Sequence, residues 1–72
     1  MTTHGPVLPL WSCGGCGAPW PCGTRRRELR AEFVGARVSL ALYMGAQLVR
    51  ASADLHWVPG GVLHRRFLGW LR

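Results

Sequence analysis

Three cysteines near the start of the chain carry the clearest chemistry in the sequence. Cys13 and Cys16 form a Cys-x-x-Cys pair with glycines between them, Gly17 follows, and Cys22 completes the set. Small residues at this spacing let backbone amides turn toward the thiolates in a tight knuckle, which a tetrahedral metal ion needs. The spacing therefore predicts a structural zinc site at Cys13, Cys16 and Cys22.

The predicted site needs a fourth ligand, because structural zinc is almost always bound by four protein groups. The chain contains three histidines. We expect His4 to be the ligand, since Pro6 and Pro9 would stiffen its arm so that it folds back over the knuckle, and ligands usually come from nearby segments. His56, in a loop between helices, and His64, in the last helix, are alternatives. Water or another group is a further one.

Other interpretations of the three cysteines fit the sequence less well. A redox pair at Cys13 and Cys16 would normally open a helix after a strand, and the glycines around it disfavour a helix. An iron–sulfur cluster would need a fourth cysteine. Three free thiols would lie in a glycine loop with little apolar burial to keep them inert.

The elements that must position these ligands divide the chain in two parts. Residues 1–23 hold four of the five prolines and five of the ten glycines, which favours turns over helices. We expect this part to be the metal-binding arm and knuckle, and residues 24–72 to be helical. At 72 residues, the chain has room for a single small domain.

The remainder of the sequence predicts helices. Thr24 is expected to cap a first helix over residues 25–34, and Gly35 to end it. A second helix is predicted over residues 36–55, where the chain is strongly apolar and has no proline. A third, amphipathic helix follows Pro59, with Leu63, Phe67, Trp70 and Leu71 at helical spacing and the nearby arginines turned elsewhere. The fold class is therefore mostly α, a cysteine-rich zinc knuckle followed by about three helices in a small bundle.

The second helix also bears on partners. Its predicted buried side is Val38, Leu42, Gly45, Leu48 or Val49, and Ser52. The charge-free stretch, residues 38–49, is shorter than the roughly 20 apolar residues that a bilayer requires, so we expect a buried helix and no membrane partner. Because this helix is apolar on nearly all sides, residues 38–49 also predict a homodimer.

The chain is strongly basic. Its formal net charge is +6, and all nine basic residues are arginines. Arg25, Arg26, Arg27 and Arg30 cluster in the first helix, where they are expected to bind nucleic acid or an acidic protein surface. One of the first three is also predicted to donate a hydrogen bond to the zinc–thiolate centre.

The sequence favours a non-catalytic role. Glu28 and Glu32 lie one helical turn apart on a surface face, and the cysteine loop contains no carboxylate that could act as a base beside zinc. An odd number of cysteines and the absence of a charged leader predict a reducing cytoplasmic location. We therefore expect a small cytoplasmic zinc-binding interaction or regulatory module.

Several segments together resemble a known family. They are the run Trp-Ser-Cys-Gly-Gly-Cys-Gly-Ala-Pro-Trp-Pro-Cys at residues 11–22, Leu-Arg-Ala-Glu-Phe at residues 29–33 and Arg-Phe-Leu-Gly-Trp at residues 66–70. Over nearly its whole length the chain is similar to small zinc-knuckle-like proteins of high-GC Gram-positive bacteria. Members of that family tend to carry a histidine before the first cysteine, which matches His4.

Some members of that family are labelled flavin reductases. The resemblance therefore implies an alternative function, a small oligomeric flavin-linked or thiol redox enzyme. A flavin needs a pocket of several hundred Å³, and this sequence has no glycine-rich phosphate loop between a strand and a helix. The non-catalytic module is the function that the residues favour.

Overall fold

A computed structural model of the chain describes residues 3–71. Its elements are β1 (Pro6–Val7), β2 (Ser12–Cys13), α1 (Gly23–Glu32), α2 (Arg37–Asp54) and α3 (Gly60–Phe67). The two short strands pair antiparallel, with Pro6 opposite Cys13 and Val7 opposite Ser12. The predicted mostly α fold with three helices is confirmed, and the hairpin is an addition to it. Within residues 3–71, no helix combines the length and apolarity needed to cross a membrane.

The start of α1 differs from the prediction. Cys22, and not Thr24, is the N-cap residue, and its Sγ accepts a hydrogen bond from the Arg25 amide at 3.4 Å. The predicted cap was wrong because the sulfur already satisfies the amide that a threonine hydroxyl would have bound. Thr24 consequently lies inside the first turn. Phe33 caps the other end, and Gly35 follows with φ of +75°, which glycine adopts readily.

The ends of α2 agree with the prediction to within a residue, but its buried side does not. Leu40, Met44 and Ala51 are the buried residues of this helix, whereas Val38 is 73% and Leu42 70% exposed. The helix is apolar on most sides, so hydrophobic spacing alone does not select the side that faces α3. That selection comes from tertiary packing.

The core joins the helices to the segment before them. Trp11 and Trp20 are fully buried against Phe67 of α3, and the centroids of the three rings lie 5.7 to 5.9 Å apart. Such tilted and edge-on contacts stabilise aromatic clusters beyond the area that they bury. The same cluster of buried residues continues into α2 through Met44 and Ala51. One continuous core therefore serves both parts of the chain.

A second tie between the two parts is polar. Arg66 of α3 donates from Nε to the Trp20 carbonyl at 2.8 Å, and its guanidinium also donates to the Trp11 carbonyl. Trp11 has φ of +57°, an unusual value for a residue other than glycine. Burial and the neighbouring Arg26 charge lower the pKa of Arg66. The arginine therefore holds the backbone on both sides of the cysteine pair.

Candidate metal centre

Four side chains of the metal-ligating types meet at one end of the molecule. The ligand atoms of His4, Cys13, Cys16 and Cys22 all lie within 4.8 Å of one another. His4 Nδ1 is 3.1 Å from Cys13 Sγ and 3.4 Å from Cys22 Sγ. The ligand atoms of a tetrahedral Cys₃His zinc site are about 3.5 to 3.8 Å apart, given ordinary zinc–ligand bond lengths. The four ligand atoms are therefore close enough together to hold a metal ion after small side-chain movements.

The backbone of His4 is held by a tryptophan. Trp20 donates from its indole Nε1 to the His4 carbonyl at 2.9 Å. Gly15 leaves room for the imidazole, because a Cβ at Gly15 would lie 3.0 Å from His4 Nδ1 and 3.0 Å from the Thr3 carbonyl oxygen. A side chain at this position would press on the ring. The absence of a side chain at Gly15 therefore allows the His4 ring to lie beside the thiols.

A tight turn holds Cys13 and Cys16. The Gly17 amide donates to the Cys13 carbonyl at 2.8 Å, and Gly17 has φ of +75°. Within the turn the Gly15 amide donates to Cys13 Sγ at 3.4 Å. The Cys13 amide donates in turn to the Ala18 carbonyl at 2.7 Å. The glycines therefore allow a backbone path that points amides at sulfur.

Cys22 belongs to the start of α1. A helix N-terminus carries partial positive charge, which favours a thiolate there. The Arg25 amide reaches the sulfur, while the Arg25 guanidinium pairs with Glu28 at 3.3 Å and Glu32 at 2.7 Å. The prediction was that an arginine guanidinium donates to the thiolates. In the structure, the backbone amide of Arg25 donates to Cys22 Sγ instead.

The thiols of the pair differ in acidity. Burial would raise the pKa of Cys13, but hydrogen bonds from the Gly15 and Cys16 amides, the Cys16 thiol and His4 outweigh it and lower that pKa to about 6. Cys13 is buried, and these donors favour the thiolate form of its sulfur.

Cys16 behaves in the opposite way. The Ala18 amide lowers its pKa, but hydrogen bonding with Cys13, burial, the Cys22 thiol and the Cys13 charge together raise it. Cys16 is the exposed cysteine of the three. The accessible thiol is therefore the less acidic one of the pair, and the more acidic thiol is buried.

The two alternative histidine ligands lie elsewhere. His56 is exposed, and its ring is 5.4 Å from that of Trp57. His64 is exposed on α3. Among residues 3–71 the possible metal-binding group contains His4 and neither of these histidines.

The arginines predicted to bind a partner are partly engaged within the protein. Arg26 donates from Nε to the Pro21 carbonyl at 3.0 Å, and its guanidinium is 5.9 Å from the Trp70 ring. Arg30 donates to the Trp70 carbonyl, and Arg27 donates to the Thr24 hydroxyl at 3.3 Å. Arg27 and Arg30 are exposed, while Arg25 and Arg26 are half-buried. The exposed basic surface of α1 therefore contains two of the four predicted arginines, Arg27 and Arg30.

Two residues that hold the backbone around the ligands, Trp20 and Arg66, were not predicted from the sequence. The position of Trp20 close to the cysteines could have indicated this role, because the N–H group of a buried indole needs an acceptor nearby. Arg66 gave no such signal, because its acceptors are backbone carbonyls that only the folded chain brings to it.

Comparison with known proteins adds nothing to this geometry. The chain matches no family model, no curated protein and no solved structure. What the four side chains can do therefore follows from their own chemistry. Three thiols and an imidazole at these distances could hold one metal ion.

Proposed function

We propose that the chain is a non-catalytic zinc-binding module, in which one zinc ion bound by His4, Cys13, Cys16 and Cys22 holds the N-terminal arm in place. The observation that carries this proposal is the convergence of four ligand atoms within 4.8 Å. Thiolates and imidazole are the donors that zinc prefers in tetrahedral structural sites. Zinc in such a site would act through stability, because metal binding by a small domain is coupled to its folding.

A structural role for the metal fits the donor set better than a catalytic one. Catalytic zinc keeps an open position for water, whereas His4, Cys13, Cys16 and Cys22 would together fill the four positions of a tetrahedral ion. The carboxylates are engaged away from the site, since Glu28 and Glu32 pair with Arg25 and Asp54 accepts from the Trp11 indole at 2.8 Å. This arrangement supports a centre that organises the fold.

The ligand assignment is tested by comparing two histidine variants. His4→Ala should lose the metal, or bind zinc at least about a hundredfold more weakly, because a three-ligand site leaves the ion open to water. His56→Ala removes an exposed imidazole and should keep one zinc per chain. Zinc content by native mass spectrometry and competition with a chelator measures both. Metal loss in His56→Ala, with retention in His4→Ala, would contradict the assignment.

The proposed module acts by binding an anionic partner, nucleic acid or an acidic protein surface, in a reducing cytoplasm that keeps the thiols available to metal. The formal net charge of +6 and the exposed Arg27 and Arg30 support this part. Retention on immobilised nucleic acid and on an acidic peptide, measured against salt concentration, tests it. Affinity should fall steeply with salt on at least one of the two supports. No retention on either at low salt would reject the partner.

We also propose that residues 38–49 of α2 mediate a homodimer. Val38, Leu42 and Val49 are each at least 70% exposed, and so they form an apolar surface on the isolated chain. Sedimentation at several concentrations should show a dimer that Leu42→Glu dissociates. A monomer at every concentration would refute this part.

The alternative function, a thiol redox or flavin-linked enzyme, has one observation in its favour, the lowered pKa of Cys13. A redox nucleophile has to be both acidic and accessible, and here the acidic thiol is buried while the exposed Cys16 has a raised pKa. Bound flavin would give the purified protein a yellow absorbance. A colourless zinc protein would favour the module.

A further inference from the structure

A second site lies apart from the cysteines. A cavity of about 440 Å³ beside α1 and the end of α3 is lined by Arg26, Arg65, Gly69 and Trp70. No member of the metal-binding group lines it. Arg26 belongs to α1 and Arg65 to α3. The cavity therefore forms only when the helices pack together, and the spacing of residues in the sequence does not indicate it.

The groups around this cavity that lack a partner are hydrogen-bond donors. Arg65 is exposed, and its side chain makes no hydrogen bond or ion pair with the rest of the described chain. Trp70 is 8% exposed, and its indole Nε1 is buried without an acceptor among residues 3–71. Guanidinium and indole N–H groups can only donate. Arg65 therefore offers free donors to a ligand in the cavity, and Trp70 contributes to its wall.

Positive charge is concentrated at the same place. The Arg26 and Arg30 guanidinium groups lie 5.9 and 5.5 Å from the centre of the Trp70 ring, and Arg26 also donates to the Arg66 carbonyl at 3.5 Å. The Arg26 charge contributes to the lowered pKa of Arg66, which shows how close the two cations are. Among residues 3–71, the lining residues include no carboxylate. An anion in the cavity would relieve this repulsion.

We propose that the cavity lined by Arg26, Arg65 and Trp70 binds a phosphate group. Stacking on Trp70 holds the Arg26 guanidinium in place, and planar guanidinium groups match the oxygens of phosphate by paired hydrogen bonds. Two or more converging cations suit an anion that carries more than one negative charge. This inference rests on the proposed function in that both require an anionic partner. It adds that the bound group is a phosphate and that it binds in this cavity.

The phosphate can be free, carried on a nucleotide or part of a nucleic acid strand. A titration of the zinc-loaded protein, followed by ¹⁵N NMR, separates these sources. The probes are inorganic phosphate, a nucleoside monophosphate and a short single-stranded oligonucleotide, each at constant ionic strength against chloride. We expect saturable shifts of the Trp70 indole N–H and the Arg26 Nε–H signals with at least one probe, and the strongest-binding probe identifies the source.

Two arginine variants of equal charge make the test specific. Arg65→Gln should weaken binding of that probe about tenfold or more, because a hydrogen bond between charged groups is lost. Arg50→Gln is the control, since Arg50 is exposed on α2 and lies over Trp11. Its removal should change affinity less than twofold at moderate salt, where distant charges are screened. Both side chains are exposed, so each variant should fold, and the dispersion of the indole signals verifies this.

The outcomes separate this inference from the proposed function. Unshifted Trp70 and Arg26 signals with every probe would overturn the inference, as would equal losses in Arg65→Gln and Arg50→Gln. If the oligonucleotide binds while these signals stay unchanged, the site is wrong but the anionic partner stands. If free phosphate or the mononucleotide binds in the cavity and neither nucleic acid nor the acidic peptide is retained, the cavity site is upheld and the macromolecular partner is rejected.

Discussion

The arm, residues 3–22, and the helical body, residues 23–71, are stabilised in different ways. The body consists of three helices whose buried side chains are aliphatic or aromatic, such as Leu40, Met44 and Phe67. The arm has two strands of two residues each, and contacts with the body hold it: Trp11 and Trp20 pack on Phe67, and Arg66 donates to the carbonyls of both tryptophans. A helix satisfies its own backbone, but an irregular segment needs partners from elsewhere. The arm should therefore depend on the body and on a bound metal.

Damage to the ring cluster that both regions share should have the largest effect on stability. Phe67→Ala should lower the free energy of unfolding by about 3 to 5 kcal/mol, since it opens a cavity between Trp11 and Trp20. Urea denaturation of the zinc-loaded protein measures the change. Val62→Ala, on the exposed side of the same helix, is the control and should cost less than about 1 kcal/mol. Similar losses in the two variants would show that the arm does not share this core.

The second change removes the polar tie between the regions. Arg66→Gln leaves the carbonyls of Trp11 and Trp20 without their guanidinium donor, and should cost roughly 2 kcal/mol. Arg65→Gln, one residue away and exposed, should be nearly neutral. Tryptophan fluorescence during denaturation follows both variants. If Arg65→Gln destabilises the protein as much as Arg66→Gln, the effect comes from the lost positive charge and not from the hydrogen bonds of Arg66.

The third change acts inside the arm alone. Gly15→Ala should weaken zinc binding about tenfold while the helical signal stays the same, because the added methyl group presses on the His4 ring. Gly5→Ala serves as the matched control, since a Cβ at Gly5 would meet nothing within 4 Å. Competition with a chromophoric chelator gives both affinities. Unchanged zinc affinity in Gly15→Ala would mean that His4 is not held as described.

The smallest effect concerns the metal-free protein. With the pKa of Cys13 lowered from 9.0 to about 6, the folded chain binds fewer protons than the unfolded chain between those values. Stability should therefore rise from pH 6 to pH 9, and this contribution is lost as the pH falls through 6. Denaturation midpoints across that range, with Cys13→Ser as control, measure the slope. If stability changes with pH in the same way in Cys13→Ser, a group other than Cys13 causes the pH dependence.

What the sequence could predict also differs between the two regions. In the body, proline and glycine positions placed α1 and α2 to within about two residues. The predicted third helix was too long, because α3 ends at Phe67 and Trp70 and Leu71 lie beyond it, and the buried side of α2 was wrong. Leu40 and Met44 face inward in place of Val38 and Leu42, because a helix that is apolar on most sides can be packed at several rotations. Periodicity selects a side only where polar residues mark the other.

In the arm, spacing grouped the cysteines, and the structure brings His4 to them. That a metal binds there stays a prediction. The sequence did not show that the Arg25 amide would bind the Cys22 sulfur while the Arg25 guanidinium paired with Glu32. A side chain with five donors has many partners within reach, and only the fold decides among them.

The most direct measurement is native mass spectrometry of the purified chain before and after treatment with EDTA, with the indole N–H signals of Trp11 and Trp20 recorded in parallel. We predict one zinc ion per chain, its removal by EDTA, and a loss of dispersion in both indole signals. A protein that contains no zinc when purified and keeps its indole spectrum in strong EDTA would contradict the account.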